Sequence, residues 1–487
     1  MSNIKSNKVQ KSTNDNTNSL DLLTLEEIEA MSMSDTLANF SRYINPHLAK
    51  AFSLLGLAKR KPVSALGCII KMDDKSEVLD MTGGLAILNV GHNHPRIIEA
   101  RAKWAMKNGL EVWKFIPSPY HAGLAENLGR ILPGDLELAF FCNSGAEANE
   151  GAMKLASKYA GKNRDLIVYT DISFHGKTHA TLSVSGSENP KNSPFKTMSG
   201  CLEIPYGDSN ALREMILEHK KQFQKSRVST FIVEAIRSEG VICPPETYMQ
   251  EVRKICDDYD VTLICDEVFC GFGRTGQFFA FNHSGITPDI VTISKAFGAG
   301  KATFAAYITK PSIFKKAYGS MEEATLHSTT YNGFAEELIT AIEGINIIYD
   351  EKLVEKSREN GNYLLSELEK LKLIHPSILK EVKGIGLLVC IKTENIASKA
   401  LNFIPAVGNT KSMLKKITTA GIISKLYEDY DILTFTPLHD PSQILLAPPL
   451  VITKREIDRF ISALSEVLNS NFLEHGAHLV KNSMATR

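Results

Sequence analysis

The feature that most constrains the fold is a regular alternation of two patterns along the middle of the chain. Short apolar runs of strand length alternate with amphipathic stretches of helical period. The runs are LELAFFC, DLIVYT, STFIVEAI, VTLICDEV, DIVTIS and TFAAYIT, and the helical stretches include AEANEGAMKLASKYAG and TYMQEVRKICDDYD. Strand–helix–strand units connect by right-handed crossovers and build a mainly parallel sheet flanked by helices. The sequence therefore predicts an α/β fold with its ligand site beyond the carboxyl ends of the strands.

The flanking regions have other patterns. Apolar positions at helical spacing predict helices between residues 21 and 60, and short β-like runs follow up to about residue 90. From about residue 340 we expect one long helix, ELITAIEGINIIYDEKLVEKSRENGNYLLSELEKL, followed by mixed β and α structure. The predicted organisation is a disordered tail (1–20), a helical and β segment that packs with the small domain (21–80), a large domain (81–340), a small C-terminal α+β domain (341–472) and a second tail (473–487).

Composition excludes several classes of protein. The 55 Lys and Arg residues balance 55 Asp and Glu residues, which argues against a nucleic-acid binder. No apolar run approaches the roughly 18 residues of a membrane helix, and the first twenty residues lack the apolar stretch of a secretory signal. The eight cysteines form no CxxC pair, so neither a metal site nor a disulfide framework is indicated. We expect a cytoplasmic protein with no nucleic-acid or membrane partner.

One candidate phosphate site follows the run LELAFFC. Ser144 is a good helix N-cap and Gly145 permits close approach to the backbone, so the free N–H groups of the next helix could bind an anion. A plain Ser-Gly turn between a strand and a helix explains the same residues. Taken alone, the plain turn is the simpler interpretation.

Two charged residues end neighbouring apolar runs. Asp266 ends VTLICDEV, and a carboxylate there is costly unless paired, so we expect a cationic partner. Lys295 follows DIVTIS at the distance of one strand–helix–strand step. It could simply extend to solvent, or, if desolvated, have a lowered pKa and form a Schiff base. GFGRTG (271–276) matches the dinucleotide fingerprint GxGxxG, but no amphipathic helix follows it, so a Rossmann site is not indicated.

Seven ordered motifs taken together are far more specific than any one of them. SGAEANEGAMKLA, FHGKT, EAIRSEGVICPP, CDEVFCGFGRTGQFFAF, PDIVTISKAFGAG, HSTTYNGFA and APPLVIT follow one another along the chain. This order resembles the class III aminotransferases, which are pyridoxal-phosphate enzymes of fold type I. The resemblance runs from about residue 40 to 470, and LDMTGGLAILNVGHNHP is most similar to the putrescine-aminotransferase branch.

The resemblance implies roles for individual residues. Lys295 holds pyridoxal 5'-phosphate as a Schiff base and moves the substrate proton, while Asp266 pairs with the pyridine nitrogen. Thr330 reaches the cofactor phosphate of a neighbouring subunit, which implies a homodimer. The other cofactor contacts that it implies are the phosphate turn Ser144, Gly145 and Ala146, and the ring contacts Phe174 and Val268. His175 is a further candidate, which could form a hydrogen bond near the ring or only support the turn.

The sequence departs from the family pattern on the substrate side. Leu445 stands where relatives that use keto acids commonly have an arginine for the substrate carboxylate, and we find no cation between Lys425 and Lys454 to replace it. Phe269 and Arg237 each stand in place of a family glutamine, and Asn332 in place of a glycine. The loop after Lys295, GAGKATFAA, is also unusual.

Two hypotheses follow for substrate binding. In the first, the donor is a primary amine without a carboxylate, and an unpaired Glu239 receives a distal ammonium while Leu445 and Phe269 favour an apolar partner or an aldehyde. In the second, Arg237 replaces the missing arginine as an anion binder, unless it only pairs with Glu239. Glu234 is expected to support the structure. The expected reaction moves an amino group from a primary amine (an ω-amine, a diamine or a hydrophobic amine) to a keto acid or an aldehyde.

Other reactions and a non-catalytic role remain open at the level of the sequence. The same fold and lysine support racemisation, aminomutation and decarboxylation, and a degenerate homologue could serve as a non-catalytic scaffold. A scaffold needs none of Lys295, Asp266 and the phosphate turn, which favours an enzyme. A nicotinamide dehydrogenase with its cofactor site at GFGRTG is the least favoured of these alternatives.

Overall fold

The computed structural model describes residues 22–220, 225–394, 411–437 and 439–470. The two predicted tails, 1–20 and 473–487, lie outside the described residues. The strands are β1 Pro62–Leu66, β2 Ile69–Met72, β3 Glu77–Asp80, β4 Leu138–Cys142, β5 Leu166–Thr170, β6 Cys201–Ile204, β7 Val228–Val233, β8 Thr262–Asp266, β9 Ile290–Ile293, β10 Ala305–Thr309, β11 Leu379–Ile385, β12 Leu388–Thr393, β13 Ile432–Leu433 and β14 Gln443–Leu446.

Fifteen α-helices lie between and around these strands in the described part of the chain. They are α1 Leu25–Ala30, α2 Met33–Tyr43, α3 Pro46–Leu54, α4 Gly83–Ala86, α5 Pro95–Met106, α6 Pro119–Ile131, α7 Gly145–Ala160, α8 His179–Ser183, α9 Ser209–Glu218, α10 Tyr248–Tyr259, α11 Pro311–Ala317, α12 Ala335–Asp350, α13 Leu353–Ile374, α14 Lys411–Tyr430 and α15 Lys454–Asn469. No helix among the described residues is long and apolar enough to cross a bilayer.

A seven-stranded sheet forms the centre of the large domain, in the order β4-β10-β9-β8-β7-β5-β6. The pairs from β9 through β8, β7 and β5 to β6 are parallel, and only β10 runs antiparallel to its neighbours β9 and β4. Every residue of β7, β8 and β9 is buried, as expected for strands covered by helices on both faces. The predicted α/β fold with a mainly parallel sheet is confirmed. Strand β6 was not predicted because its four residues, CLEI, include an acidic residue and lie beside a loop rich in Ser, Pro and Lys.

The single long helix predicted after residue 337 is wrong. The chain forms two helices, α12 and α13, which are separated at Glu351 and Lys352. Lys352 has a left-handed backbone with φ of +53°, a conformation that ends a helix. Helical period alone could not reveal this break, because the apolar pattern continues on both sides of it.

Two smaller sheets lie outside the central sheet, and one of them joins an N-terminal to a C-terminal segment. Strands β11, β12 and β14 form an antiparallel sheet with α13 packed on β11, which is the α+β pattern predicted for the C-terminal region. The other sheet has the order β1-β2-β3-β13, and β13 pairs in parallel with β3. Residues 62–80 therefore share a sheet with a C-terminal segment, while the domain boundaries themselves stay a prediction.

Candidate active site

A cavity of about 480 Å³ lies at the carboxyl ends of β8 and β9, beside the first turn of α7. It is enclosed by residues from loops after five strands of the central sheet, as predicted for a parallel sheet. Its lining includes Ser144, Gly145, Ala146, Asn149, Phe174, His175, Glu234, Ser238, Asp266, Val268, Phe269, Lys295 and Lys301.

Lys295 is the central amine of this cavity. It follows β9 and has a left-handed backbone with φ of +48°, an unusual conformation for lysine that the surrounding structure must stabilise. Its Nζ lies 3.9 Å from the ring centroid of Phe269. Burial lowers the pKa of Lys295 to about 8, and the carboxylates of Asp266 and Glu234 oppose this shift. A large share of the amine is therefore neutral, and hence nucleophilic, slightly above neutral pH.

Asp266 is buried at the end of β8 and is fixed by three donors. Its Oδ2 accepts hydrogen bonds from Asn149 Nδ2 at 2.8 Å and from His175 Nδ1 at 2.7 Å, and its Oδ1 accepts one from the Val268 N–H at 2.9 Å. Among the described residues, the ion-pair partner of Asp266 is the imidazole of His175, and the expected cationic partner stays a prediction. An amide, an imidazole and a backbone N–H stabilise this carboxylate.

The predicted phosphate turn forms the N-terminus of α7. Ser144 is the N-cap, and its Oγ accepts a hydrogen bond from the Glu147 N–H at 3.2 Å. The Glu147 carboxylate in turn accepts hydrogen bonds from the N–H groups of Asn143 and Ser144. The N–H groups of Gly145 and Ala146 donate to no acceptor within the described residues, so both remain available to an anion in the cavity.

Three further predicted residues lie in the same cavity. The Phe174 N–H donates to Glu234 Oε2 at 3.2 Å, which fixes the loop that carries the Phe174 ring. The carbonyl of His175 accepts a hydrogen bond from Asn149 Nδ2 at 2.9 Å. Val268 lies directly against Gly145, at a distance that leaves no space for a larger residue at position 145. The structure thus brings together all predicted cofactor residues except Thr330.

The side chain of Arg237 is held by a network of hydrogen bonds and ion pairs. Its guanidinium is buried and donates to Glu234 Oε2 and to Glu239 Oε2, each at 3.0 Å, and to Ser187 Oγ at 3.1 Å. The expectation of an unpaired Glu239 is therefore wrong, since Arg237 and His439 both contact it. This geometry favours the local pairing of Arg237 over the hypothesis that Arg237 binds a substrate carboxylate.

Leu445 and Thr330 lie outside the cavity. Leu445 is fully buried in β14, where it pairs with Cys390. A charged side chain there would lack water, which explains why an apolar residue is stable at this position. Thr330 is exposed on the surface of the single subunit.

Sequence reasoning missed two polar residues of this region. Asn149 lies one turn into α7, and its side chain connects Asp266 to Thr292, whose Oγ1 donates to Asn149 Oδ1 at 2.7 Å. The sequence signal that could have identified Asn149 is its position on the same helix as the phosphate turn. His439 lies within the stretch that we described as lacking a cation, and it bonds to Glu239 and Glu188.

The GFGRTG segment forms a buried loop and no dinucleotide site. Arg274, within this loop, is fully buried and donates to the carbonyls of Leu387 and Pro448 at 2.9 and 2.6 Å and to Asn89 Oδ1 at 2.5 Å. Burial lowers the pKa of Arg274 to about 9. The segment therefore links the large domain to the C-terminal region.

Comparison with known proteins places this site in a family. The family model Aminotransferase class-III matches residues 58–468. The aminotransferase PigE of a Serratia species is 30% identical over 472 residues, which are 90% of this chain and 54% of PigE, so the chain spans about half the length of that relative. A transaminase from the marine bacterium Virgibacillus has a TM-score of 0.74 at 25% identity, over 86% of this chain and 94% of its own. The ornithine aminotransferase of Toxoplasma gondii has a TM-score of 0.77 at 22% identity, over 91% and 96%, and shares the fold.

The residues present fit pyridoxal 5'-phosphate, on which this family depends. Two free N–H groups at a helix N-terminus suit a phosphate, a buried carboxylate suits a pyridinium nitrogen, and an amine with a pKa of about 8 suits an aldehyde. Gly145 also fits a bound cofactor, because a Cβ at this position would lie 2.8 Å from the methyl carbons of Val268, which form the neighbouring wall of the cavity. These groups line one cavity.

Proposed function

Because the chain belongs to the class III aminotransferases, we propose that it moves an amino group from a primary amine to a keto acid or an aldehyde with the help of pyridoxal 5'-phosphate. The observation that carries this proposal is the placement of Lys295, Asp266 and the N–H groups of Gly145 and Ala146 around one cavity. A structural lysine would be expected to reach water, whereas this amine lies over the ring of Phe269.

The bound cofactor supplies an electron sink for the bonds at the substrate carbon. The residues of the chain hold the cofactor in position and transfer the substrate proton. Asp266, held by three donors, would fix the ring nitrogen, and Gly145 and Ala146 would hold the phosphate. Lys295 would attach to the aldehyde carbon and, once released, its amine with a pKa of about 8 would accept and return the substrate proton near neutral pH.

The cavity favours donors without a carboxylate beside the reacting amine. Leu445 is buried elsewhere and Arg237 is held by two carboxylates, so neither supplies the bidentate fork that such a carboxylate prefers. Phe269 adds an apolar surface next to Lys295. We therefore place ω-amines, diamines and hydrophobic amines ahead of α-amino acids as donors.

The working enzyme in this proposal is a cytoplasmic homodimer. Thr330 is exposed and is not among the residues that line the cavity of its own subunit, and its predicted contact is to the cofactor phosphate of the neighbouring subunit. The surface near it includes the exposed apolar side chains of Phe115, Ile116 and Tyr331, which a partner subunit would cover. All eight cysteines are free thiols, which suits a reducing compartment.

The test is the visible absorbance of the protein supplied with pyridoxal phosphate. We expect a band that disappears on addition of butylamine or diaminobutane and persists with glutamate. The matched control is Lys295→Ala, which keeps the phosphate turn and should lose the band of the attached cofactor. A wild-type protein that forms no such band would refute the proposal, and bleaching by glutamate as readily as by butylamine would refute the proposed donor class.

A further inference from the structure

A second lysine, Lys301, lines the same cavity as Lys295 and has no part in the chemistry described so far. It belongs to the loop GAGKATFAA, which departs from the family pattern. Its side chain is exposed, and its Nζ makes no hydrogen bond or ion pair with any residue that the structure describes. The described lining contains these two lysines and no arginine, and Lys295 is already assigned to the cofactor aldehyde. Lys301 is therefore a cation of the cavity without an assigned partner.

The backbone of Lys301 is held in place, although its side chain is not. The N–H groups of Lys301 and Ala302 both donate to the Gly298 carbonyl, at 3.0 and 2.9 Å. Arg101 Nη1 lies 3.4 Å from the carbonyl oxygen of Lys301, and the same guanidinium pairs with Glu336 at 2.5 Å. The loop therefore presents the lysine side chain to the cavity from a fixed position.

The register of two strands places this loop beside the phosphate turn. β10 is antiparallel to β4, and its first residue, Ala305, lies opposite Cys142, the last residue of β4. Residues 301–304 lead into β10 and residues 143–146 lead out of β4, so the two segments meet at the same edge of the sheet. Both segments line the one cavity. Lys301 therefore lies on the side of the cavity that carries the phosphate turn.

The phosphate turn offers an anion hydrogen bonds but no full positive charge. The available N–H groups of Gly145 and Ala146 are neutral donors. The carboxylate of Glu147, which accepts hydrogen bonds from the N–H groups of Asn143 and Ser144, adds a negative charge close by. A phosphate monoester itself carries about 1.5 to 2 negative charges near neutral pH. A lysine ammonium near the turn would offset this charge, and lysine commonly binds phosphate in this way.

We propose that the ammonium of Lys301 binds the phosphate of pyridoxal 5'-phosphate, together with the N–H groups of Gly145 and Ala146. The proposal rests on the proposed function only through its cofactor and does not depend on which amine is the donor. It assigns the unusual loop to cofactor binding and not to the choice of substrate. The carboxylate of a keto acid is the other anion that Lys301 could meet in this cavity, and the experiment separates the two.

The experiment compares pyridoxal 5'-phosphate with pyridoxal, which lacks the phosphate, in equilibrium titrations of the cofactor-free protein followed by absorbance. The ratio of the dissociation constant for pyridoxal to that for pyridoxal phosphate isolates the phosphate, because attachment to Lys295 is common to both aldehydes. We expect Lys301→Met to reduce this ratio about 3- to 10-fold at low salt, since ion pairs of exposed lysines are weak but the phosphate carries up to two charges. Lys301→Arg should keep most of the ratio, because a guanidinium also binds phosphate.

The matched control is Lys315→Met. Lys315 is also exposed, and its Nζ has no ion pair within the described part of the chain, but it lies in α11, which follows the opposite end of β10. The same loss of charge at that position should leave the ratio unchanged. Cofactor-free Lys301→Met should melt at the wild-type temperature, because the ammonium that it removes contacts no partner in the protein.

Salt separates a charge effect from a change in the shape of the loop. The Debye length falls from about 30 Å at 0.01 M salt to about 3 Å at 1 M. The difference between wild type and Lys301→Met should therefore shrink to less than about twofold at 1 M salt. A difference of unchanged size would show that the substitution distorts the loop, and it would overturn the proposal.

Inorganic phosphate provides a measurement without the aldehyde. Its binding to the cofactor-free protein, measured by titration calorimetry, should weaken in Lys301→Met and stay unchanged in Lys315→Met. A pyridoxal ratio that Lys301→Met leaves at the wild-type value, or that Lys315→Met lowers as much, would overturn the proposal. Normal cofactor binding with a raised KM for the keto acid alone would also overturn it and would assign Lys301 to the acceptor. If Lys301→Met lowers the ratio but no amine bleaches the wild-type cofactor band, the proposal stands and the proposed reaction fails.

Discussion

The contact between Gly145 and Val268 makes the phosphate turn sensitive to one methyl group. A Cβ at position 145 would lie 2.8 Å from both methyl carbons of Val268, whereas carbon atoms are normally 3.5–4.0 Å apart. Overpacking of this kind costs roughly 1–3 kcal/mol. If the turn moves to relieve the clash, the N–H groups that would hold the phosphate are displaced. The same free energy, lost from cofactor binding, means that Gly145→Ala should weaken that binding about 5- to 150-fold.

The assay is an equilibrium titration of the cofactor-free protein with pyridoxal phosphate, followed by absorbance, with a thermal melt of each sample. Val268→Ala removes the opposing methyl groups, so adding Gly145→Ala in that background should have little further effect on affinity. Gly123→Ala in α6 is the matched control, because its Cβ would meet open space and should raise stability by about 0.5–1 kcal/mol. A Gly145→Ala protein with wild-type affinity and melting temperature would refute the reasoning.

Three more results are expected. The rate of cofactor attachment, measured by stopped-flow absorbance, should rise with pH and level off above about 8, because burial lowers the pKa of Lys295; a rate that still rises beyond pH 10 would indicate an ordinary lysine. Arg274→Met should reduce the free energy of unfolding in urea by about 3–5 kcal/mol, because it leaves buried acceptors without their donor, while the exposed Arg358→Met should have little effect. Asn149→Ala should weaken cofactor binding about 10-fold or more by releasing Asp266, since a hydrogen bond to a buried charge contributes about 1.5–3 kcal/mol; unchanged affinity would show that the other two donors suffice.

The central sheet was predictable because it depends on short-range patterns, whereas the roles of the cofactor residues came from the family resemblance. The buried runs that became β7, β8 and β9 are apolar on both faces, so spacing alone could place Asp266 and Lys295 at one edge of the sheet but could not assign their chemistry. The break at Lys352 could not be predicted, since one left-handed residue interrupts a continuous apolar pattern.

The substrate side was harder to predict because its contacts join distant segments. Glu239 and His439 are 200 residues apart in sequence, and their contact exists only when the C-terminal region packs on the large domain. Residue type left two interpretations of Arg237 open, and the structure pairs its guanidinium with Glu234 and Glu239. Local pairing of charges at two or three residues' separation is a simple alternative that sequence alone cannot exclude.

The parallel pairing of β3 with β13 also has a consequence for biosynthesis. Leu79 pairs with Ile432, so 353 residues must be made after Leu79 before its strand can acquire this neighbour. At about 5–20 residues per second, that interval is roughly 20 to 70 seconds. Until then one edge of the small sheet presents unpaired backbone groups, the kind of surface that recruits strands from other chains. A nascent chain of this protein is therefore most exposed to aggregation on the ribosome at its N-terminal sheet, and slowing translation should lengthen that period in direct proportion.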